Sequence, residues 1–126
     1  MIIQNAFRNN ATGEIFNSTH VHDFQGCTFA DGSSFFVDGG TEYLRCGGDG
    51  TSHQESLVLT SEDTAKEITS KLIWGTRGPL GDQPLKWVIL NECETDHLNK
   101  ILMFADPSEL YRNTIETILK ERNGKN

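Results

Sequence analysis

The density of turn-forming residues changes abruptly near Ser61, and that change limits the fold more than any other feature of the chain. Before it, short apolar groups are broken by Asn9-Asn10, Thr12-Gly13, Asp31-Gly32, Asp38-Gly39-Gly40 and Gly47-Gly48-Asp49-Gly50. Turn signals at such short intervals leave room for strands and hairpins but not for helices. The pattern predicts strands near residues 2–8, 14–17, 20–25, 33–38, 41–46 and 56–60. Phe35 and Val37 fall on one face, and Tyr43, Leu44 and Arg45 alternate beyond the glycines, so a hairpin is expected across Asp38-Gly39-Gly40.

After Ser61 the period becomes helical. Ser61 is the expected N-cap, with Glu62 and Asp63 at the positive end and Ala65, Ile68 and Leu72 at helical spacing. The run Gly75-Thr76-Arg77-Gly78-Pro79-Leu80-Gly81 reads as a loop, and Lys86-Trp87-Val88-Ile89-Leu90 as a strand. Thr95 is expected to cap a helix through Leu98, Ile101 and Leu102. The last helix is predicted to start with Asp106 as cap, Pro107 at the first helical position and Glu109 three residues beyond the cap, burying Tyr111, Ile115 and Ile118. Gly124-Lys125-Asn126 reads as a frayed tail. The expected class is α+β: one domain over residues 1–126, mainly antiparallel β through residue 60, then mainly α over 61–123 with one strand near 85–90.

Charge narrows the partners. The formal net charge is −7. Residues 1–60 hold two cations, Arg8 and Arg45, against seven carboxylates, while residues 61–126 hold nine cations and eleven carboxylates. A nucleic-acid polymer is bound through many Lys and Arg contacts, so this balance argues against one. A small anion needs only one or two guanidiniums and a few backbone N–H groups. No apolar run is long enough for a membrane span or signal peptide, and three widely spaced cysteines (Cys27, Cys46, Cys93) read as free thiols, so a cytoplasmic protein is expected. An apolar content of 36% in 126 residues is thin for a self-sufficient core, which favours a homo-oligomer.

Four groups of residues merit chemical reading. His20, His22 and Phe24 would share a face on a strand, and the two imidazoles with Cys27 or Asp23 have zinc-ligand types; a second close ligand pair is missing, so no metal is assigned. The plainer reading has Asp23 and one histidine bonding the adjacent turn, and an intermediate one has His22 facing a phosphate or base. No His-x-Thr/Ser pair or marked nucleophile is present, so no catalytic residue and no cofactor is assigned. Gly47-Gly48-Asp49-Gly50 lacks the ending of a P-loop and reads as a mobile turn. The segment from Trp74 to Trp87 combines glycine amides, Arg77, Lys86 and two indoles, the components that stack a purine and hold a phosphate. Trp87, inside an apolar strand, reads as core; Trp74 divides evenly between core and ligand. Arg45 reads either as a partner of Asp38 or Glu42 or, by a small margin, as an anion anchor.

Thr19-His20-Val21-His22-Asp23-Phe24, then Val37-Asp38-Gly39-Gly40 and Tyr43-Leu44-Arg45, resemble a family of small bacteriophage proteins. Trp74-Gly75-Thr76-Arg77-Gly78, Asp82-Gln83-Pro84-Leu85-Lys86 and Thr95-Asp96-His97-Leu98 recur there in the same order, so the resemblance covers about residues 1–105. Many members carry zinc-ribbon-like cysteine pairs where this chain has Asn9, Asn10 and the lone Cys27. Within the group, length and β-then-α order are similar to the phage Thoeris anti-defence sponges of the first type. That likeness implies binding, without cleavage, of the cyclic ADP-ribose messenger made by TIR-domain enzymes. It also implies cyclic trinucleotide binding at separate sites in some members, and assembly into dimers and hexamers in the host cytoplasm. On physical grounds, such a ligand would have Trp74 or a neighbouring aromatic stacked on its adenine, Arg77 and Arg45 paired with phosphate, Thr76, Gln83 and Asn91 reading ribose or base edges, and His22 serving a second anionic site. The alternative is a phage interaction module that docks onto a host protein.

Overall fold

The protein, described from a computed structural model over residues 1–78 and 80–124, has an α+β fold with antiparallel sheets first and helices last. Pro79 of the expected loop and Lys125 and Asn126 of the expected tail lie outside the described residues. The chain gathers into two compact units, Met1–Asp63 with Gly75–Trp87, and Thr64–Trp74 with Val88–Asn126. The change of unit at Asp63 falls two residues beyond the change of sequence character, and the ribbon Gly75–Trp87 counts with the first unit.

In the first unit, β2 (Ala6–Asn9) is central in a sheet ordered β3-β2-β7, with β3 at Ile15–Asn17 and β7 at Gln54–Ser56. A second sheet is ordered β4-β5-β6, from Gln25–Thr28, Ser34–Asp38 and Arg45–Gly47. β1 (Ile2–Gln4) pairs antiparallel with β8 (Leu59–Thr60). Phe35 and Val37 do share the inner face, meeting Phe7, Phe29, Phe16 and Cys27. The Phe7 ring stacks on Phe16 at 4.9 Å and meets the edge of Phe35 at 5.0 Å.

The strand expected at 56–60 is divided into β7 and β8, and two further strands differ from expectation where a polar side chain claims backbone partners. The strand expected at 2–8 is divided at Asn5, which is buried and donates through Nδ2 to the carbonyls of Asp38 (2.8 Å) and Gly40 (3.0 Å). The strand expected at 20–25 is a turn, with β4 starting only at Gln25. Asp23 closes that turn: its Oδ2 accepts from Thr19 N and Oγ1, and its N–H donates to His20 O. His20, His22 and Phe24 therefore do not line a strand face. Partial burial pushes the Asp23 carboxyl up, but the hydrogen bonds from Thr19 and Gln25 outweigh it and hold its pKa below the usual value.

The hairpin across Asp38-Gly39-Gly40 is present, pairing Asp38 with Arg45 and Val37 with Cys46. The strand expected at 41–46 begins only at Arg45, because Gly39 O accepts from Glu42 N and Tyr43 N and coils the intervening chain.

In the second unit, α1 (Ala65–Lys71) is capped by Thr64, whose hydroxyl accepts from Glu67 N at 3.2 Å. Ser61, the expected cap, lies in a turn closed by Asp63 onto Thr60 N. Thr64→Ala is expected to cost about 1 kcal/mol in urea unfolding. Ser108→Ala should be near neutral, since the Ser108 side chain makes no capping bond at the start of α3 (Glu109–Asn123).

Asp106 and Pro107 are not the cap and first residue of α3; Asp106 is left-handed (φ 46°) and ends a π-helical turn, Ile101–Ala105. Asp tolerates that conformation better than most residues, and the cap position passes to Ser108. Thr95 is the first residue of α2 (Thr95–Lys100) rather than its cap, and its hydroxyl accepts from Arg122 Nη1. Arg122 Nη2 also donates to Cys93 O at 2.7 Å and Asn91 O at 3.2 Å, so one guanidinium from α3 ties down the start of α2. Leu72, Ile73, Leu90, Leu98, Ile115 and Ile118 are fully buried in this unit. No described helix is long and apolar enough to cross a membrane.

Candidate ligand-binding site

Two strands frame a concave surface of the first unit: the outer ends of β9 (Ile73–Thr76) and β10 (Lys86–Ile89), with the loop between them. A Cβ on Gly75 would come within 3.0 Å of Leu85 and 3.1 Å of Trp87, so the indole lies directly over the Gly75 backbone. The loop is braced internally. Gly78 N donates to Thr76 Oγ1 (3.2 Å), Gly81 N to Gly78 O (3.1 Å) and Gln83 N to Arg77 O (2.9 Å).

Leu85 and Lys86 are walls of two concavities at once. One, about 410 Å³, lies between them and Thr76, Gly78, Gln83 and Pro84. The other, about 330 Å³, reaches the β2–β3 turn and is lined by Thr12, Gly13 and Glu14 together with Trp87. Together they offer an indole, a lysine ammonium, a hydroxyl, a primary amide and a carboxylate. Each volume is within the usual range for small-ligand sites. Lys86, Arg77 and Glu14 make no ion pair among the described residues.

The seven residues singled out from sequence fall in several places. Thr76 and Gln83 line one concavity, and Arg77, exposed, holds Gln83 through its carbonyl. Arg45 stands on the β5–β6 hairpin, where it pairs with Asp38 Oδ2 at 3.3 Å and lies over the Phe36 ring at 5.4 Å. Its charge is thereby partly met by the salt-bridge partner. His22 is exposed in the Asp23 turn. Trp74 and Asn91 belong to the second unit. There Trp74 is half-buried with its ring 5.5 Å from Tyr111, edge-on, and the Asn91 carbonyl accepts from Arg122. Burial pushes the Tyr111 phenol up.

The indole that lines the concavity is thus Trp87, the one the sequence assigned to the core. Its signal was the glycine at 75: a residue without a side chain on the neighbouring strand lets a large ring come close to its backbone. Glu14 and Lys86 carried no motif and became visible only when distant turns met.

The outer face of the β4-β5-β6 sheet is also aromatic. Phe36 sits between Gly26 and Gly47 on the flanking strands, and the half-exposed Phe24 stacks on it at 4.8 Å. Elsewhere, His53 Nε2 and Asp31 Oδ2 lie 2.8 Å apart. The Asp31 carboxyl is lowered to about 2 by the Ser33 hydroxyl and N–H and by His53. Cys27 lies near Asn9, whose Nδ2 is 3.9 Å from the sulfur, and burial pushes its thiol up. Arg8 pairs with Glu55 at 2.7 Å. The Gly47-Gly48-Asp49-Gly50 turn is tied back by bonds from Ser34 N to Asp49 Oδ1 and from Gly50 N to Ser34 O. No group of three or more metal-ligating side chains gathers among the described residues.

A family model described as a domain of unknown function, DUF7695, matches residues 1–48. That segment contains the Asp23 turn and the Gly39-Gly40 hairpin, which pack on each other through Gly40 and His20. No curated protein and no solved structure matches the chain.

Proposed function

We propose that this protein binds and sequesters a compact cyclic nucleotide of the cyclic ADP-ribose type without cleaving it, as a phage anti-defence sponge in the host cytoplasm. The observation that carries the reading is the pair of concavities sharing Lys86, one walled by Trp87 and the other by Thr76 and Gln83. A ring with a base at one end and a pyrophosphate at the other needs an aromatic face, an ammonium between, and hydrogen-bonding groups beyond. Sequestration asks for nothing more, since tight binding with no stabilised transition state is storage rather than catalysis. A second copy of the chain is the natural cover for the open side of so shallow a site, in keeping with a dimer or hexamer.

Isothermal titration of the full chain with cyclic ADP-ribose tests this reading. A saturable heat with micromolar or tighter affinity is expected, and the complex, once heated, should return intact ligand on chromatography. Hydrolysed ligand would convert the sponge into an enzyme. Absence of heat would leave the interaction-module alternative, which the exposed Phe24, Tyr43 and Leu44 beside Phe36 and Arg45 favour as a contact face.

A further inference from the structure

Glu14 and Lys86 line the same concavity, yet neither has an ion-pair partner among the described residues, including each other. Two residues of opposite charge that line one space without pairing leave room for a ligand that carries a donor at one end and an anion at the other. The position of Glu14 is set by its backbone alone: Asn9 N donates to Glu14 O at 2.8 Å, and Glu14 N donates to Thr12 Oγ1 at 3.2 Å. Its carboxylate makes no structural bond of its own among the described residues, and Glu14 lines the concavity together with Trp87.

We infer that Glu14 reads the exocyclic amino group of a purine stacked on Trp87, so that the site selects a 6-amino base over a 6-oxo base. This rests on the reading of the concavity as a nucleotide site. An ionised carboxylate only accepts hydrogen bonds. A 6-amino group offers it a donor, whereas a 6-oxo group sets two acceptors against each other and leaves both without a partner. The same negative charge repels phosphate, which places the pyrophosphate past Lys86, toward Gln83 and Thr76.

The experiment is titration of the full chain and of Glu14→Gln with cyclic ADP-ribose and with its 6-oxo counterpart, cyclic inosine diphosphate ribose. The unaltered chain should favour the amino ligand by about tenfold to a hundredfold. Glu14→Gln, isosteric and able to donate as well as accept, should bring the two ligands within about threefold. If the unaltered chain binds both equally, or if the preference survives in Glu14→Gln, the role of Glu14 is wrong and the nucleotide site stands. If neither ligand binds, the nucleotide reading itself falls, and this inference with it.

Discussion

Trp87→Ala is expected to weaken binding of cyclic ADP-ribose by about 10- to 100-fold, the largest loss from any single substitution in the site. Base–aromatic stacking contributes about 1–3 kcal/mol per base, and each 1.4 kcal/mol is tenfold in affinity. Because the indole lies over Gly75 and packs beside Leu85, its removal will also loosen the ribbon. Trp87→Phe separates the two effects: it keeps a flat face and should recover most of the affinity. Equal affinity of Trp87→Ala and the unaltered chain in titration would move the base away from this concavity. The same comparison made with Trp74→Phe should leave affinity unchanged, since Trp74 spends its ring on Tyr111.

The second large effect is on stability. Gly40 has a φ of +56°, and a Cβ there would lie 2.6 Å from the His20 backbone. Its N–H donates to Ser18 Oγ at 2.9 Å and its carbonyl accepts from the buried Asn5 at 3.0 Å. Ser18 Oγ in turn donates to Asp23 O. Gly40→Ala forces the His20 turn off the hairpin and strains those bonds, which adds a left-handed penalty to a steric one. The expected loss is about 4 kcal/mol, or a melting temperature lower by about 15 °C or more. Gly32→Ala provides the control. Its φ is +87° but nothing lies within 4 Å of a Cβ there, so the loss should be about 1 kcal/mol, the conformational part alone. Similar losses for the two variants in calorimetric melts would mean that the close approach to His20 is unimportant.

The Gly40 contact also explains what ties together the motif residues of the first 48 positions. Asp38-Gly39-Gly40, Ser18, His20 and Asp23 form one knot around Asn5, and Arg45 answers Asp38 on its outer side. That knot is structural. Residues lining concavities of the first unit lie elsewhere, among them those on the β2–β3 turn and the β9–β10 ribbon.

Several elements were legible in the sequence for simple reasons. Phe35 and Val37 lie two apart and are both buried, with the less buried Phe36 between them, and a strand buried on one face has a period of two that needs no partner to be recognised. The hairpin at Gly39-Gly40 was legible because both glycines take positive φ. Ile115 and Ile118 were legible as the buried stripe of α3. Thr76 and Gln83, both singled out from the sequence, line one concavity because one short loop carries both.

The errors share a cause. Ser61, Thr95 and Asp106 are all good capping types, but which polar residue caps a helix depends on where its hydroxyl or carboxylate is already engaged: Asp63 turns the chain at Ser61, Arg122 takes Thr95, and Asp106 is left-handed. Asp23 turned a predicted strand into a loop in the same way. Local composition therefore determined the α+β class, the sheets-then-helices order, the Phe35 and Val37 core positions and the loop that lines one concavity, since periodicity and turn chemistry act over a few residues; it missed the strand at Ile73–Thr76, where one strand near 85–90 was expected after residue 61. Only tertiary structure decided that Asn5 would bridge two hairpin carbonyls, that Trp87 would line a concavity while Trp74 meets Tyr111 edge-on, and that Glu14 and Lys86 would line one concavity. Those outcomes depend on which distant backbone groups and side chains meet, and spacing along the chain carries no record of that.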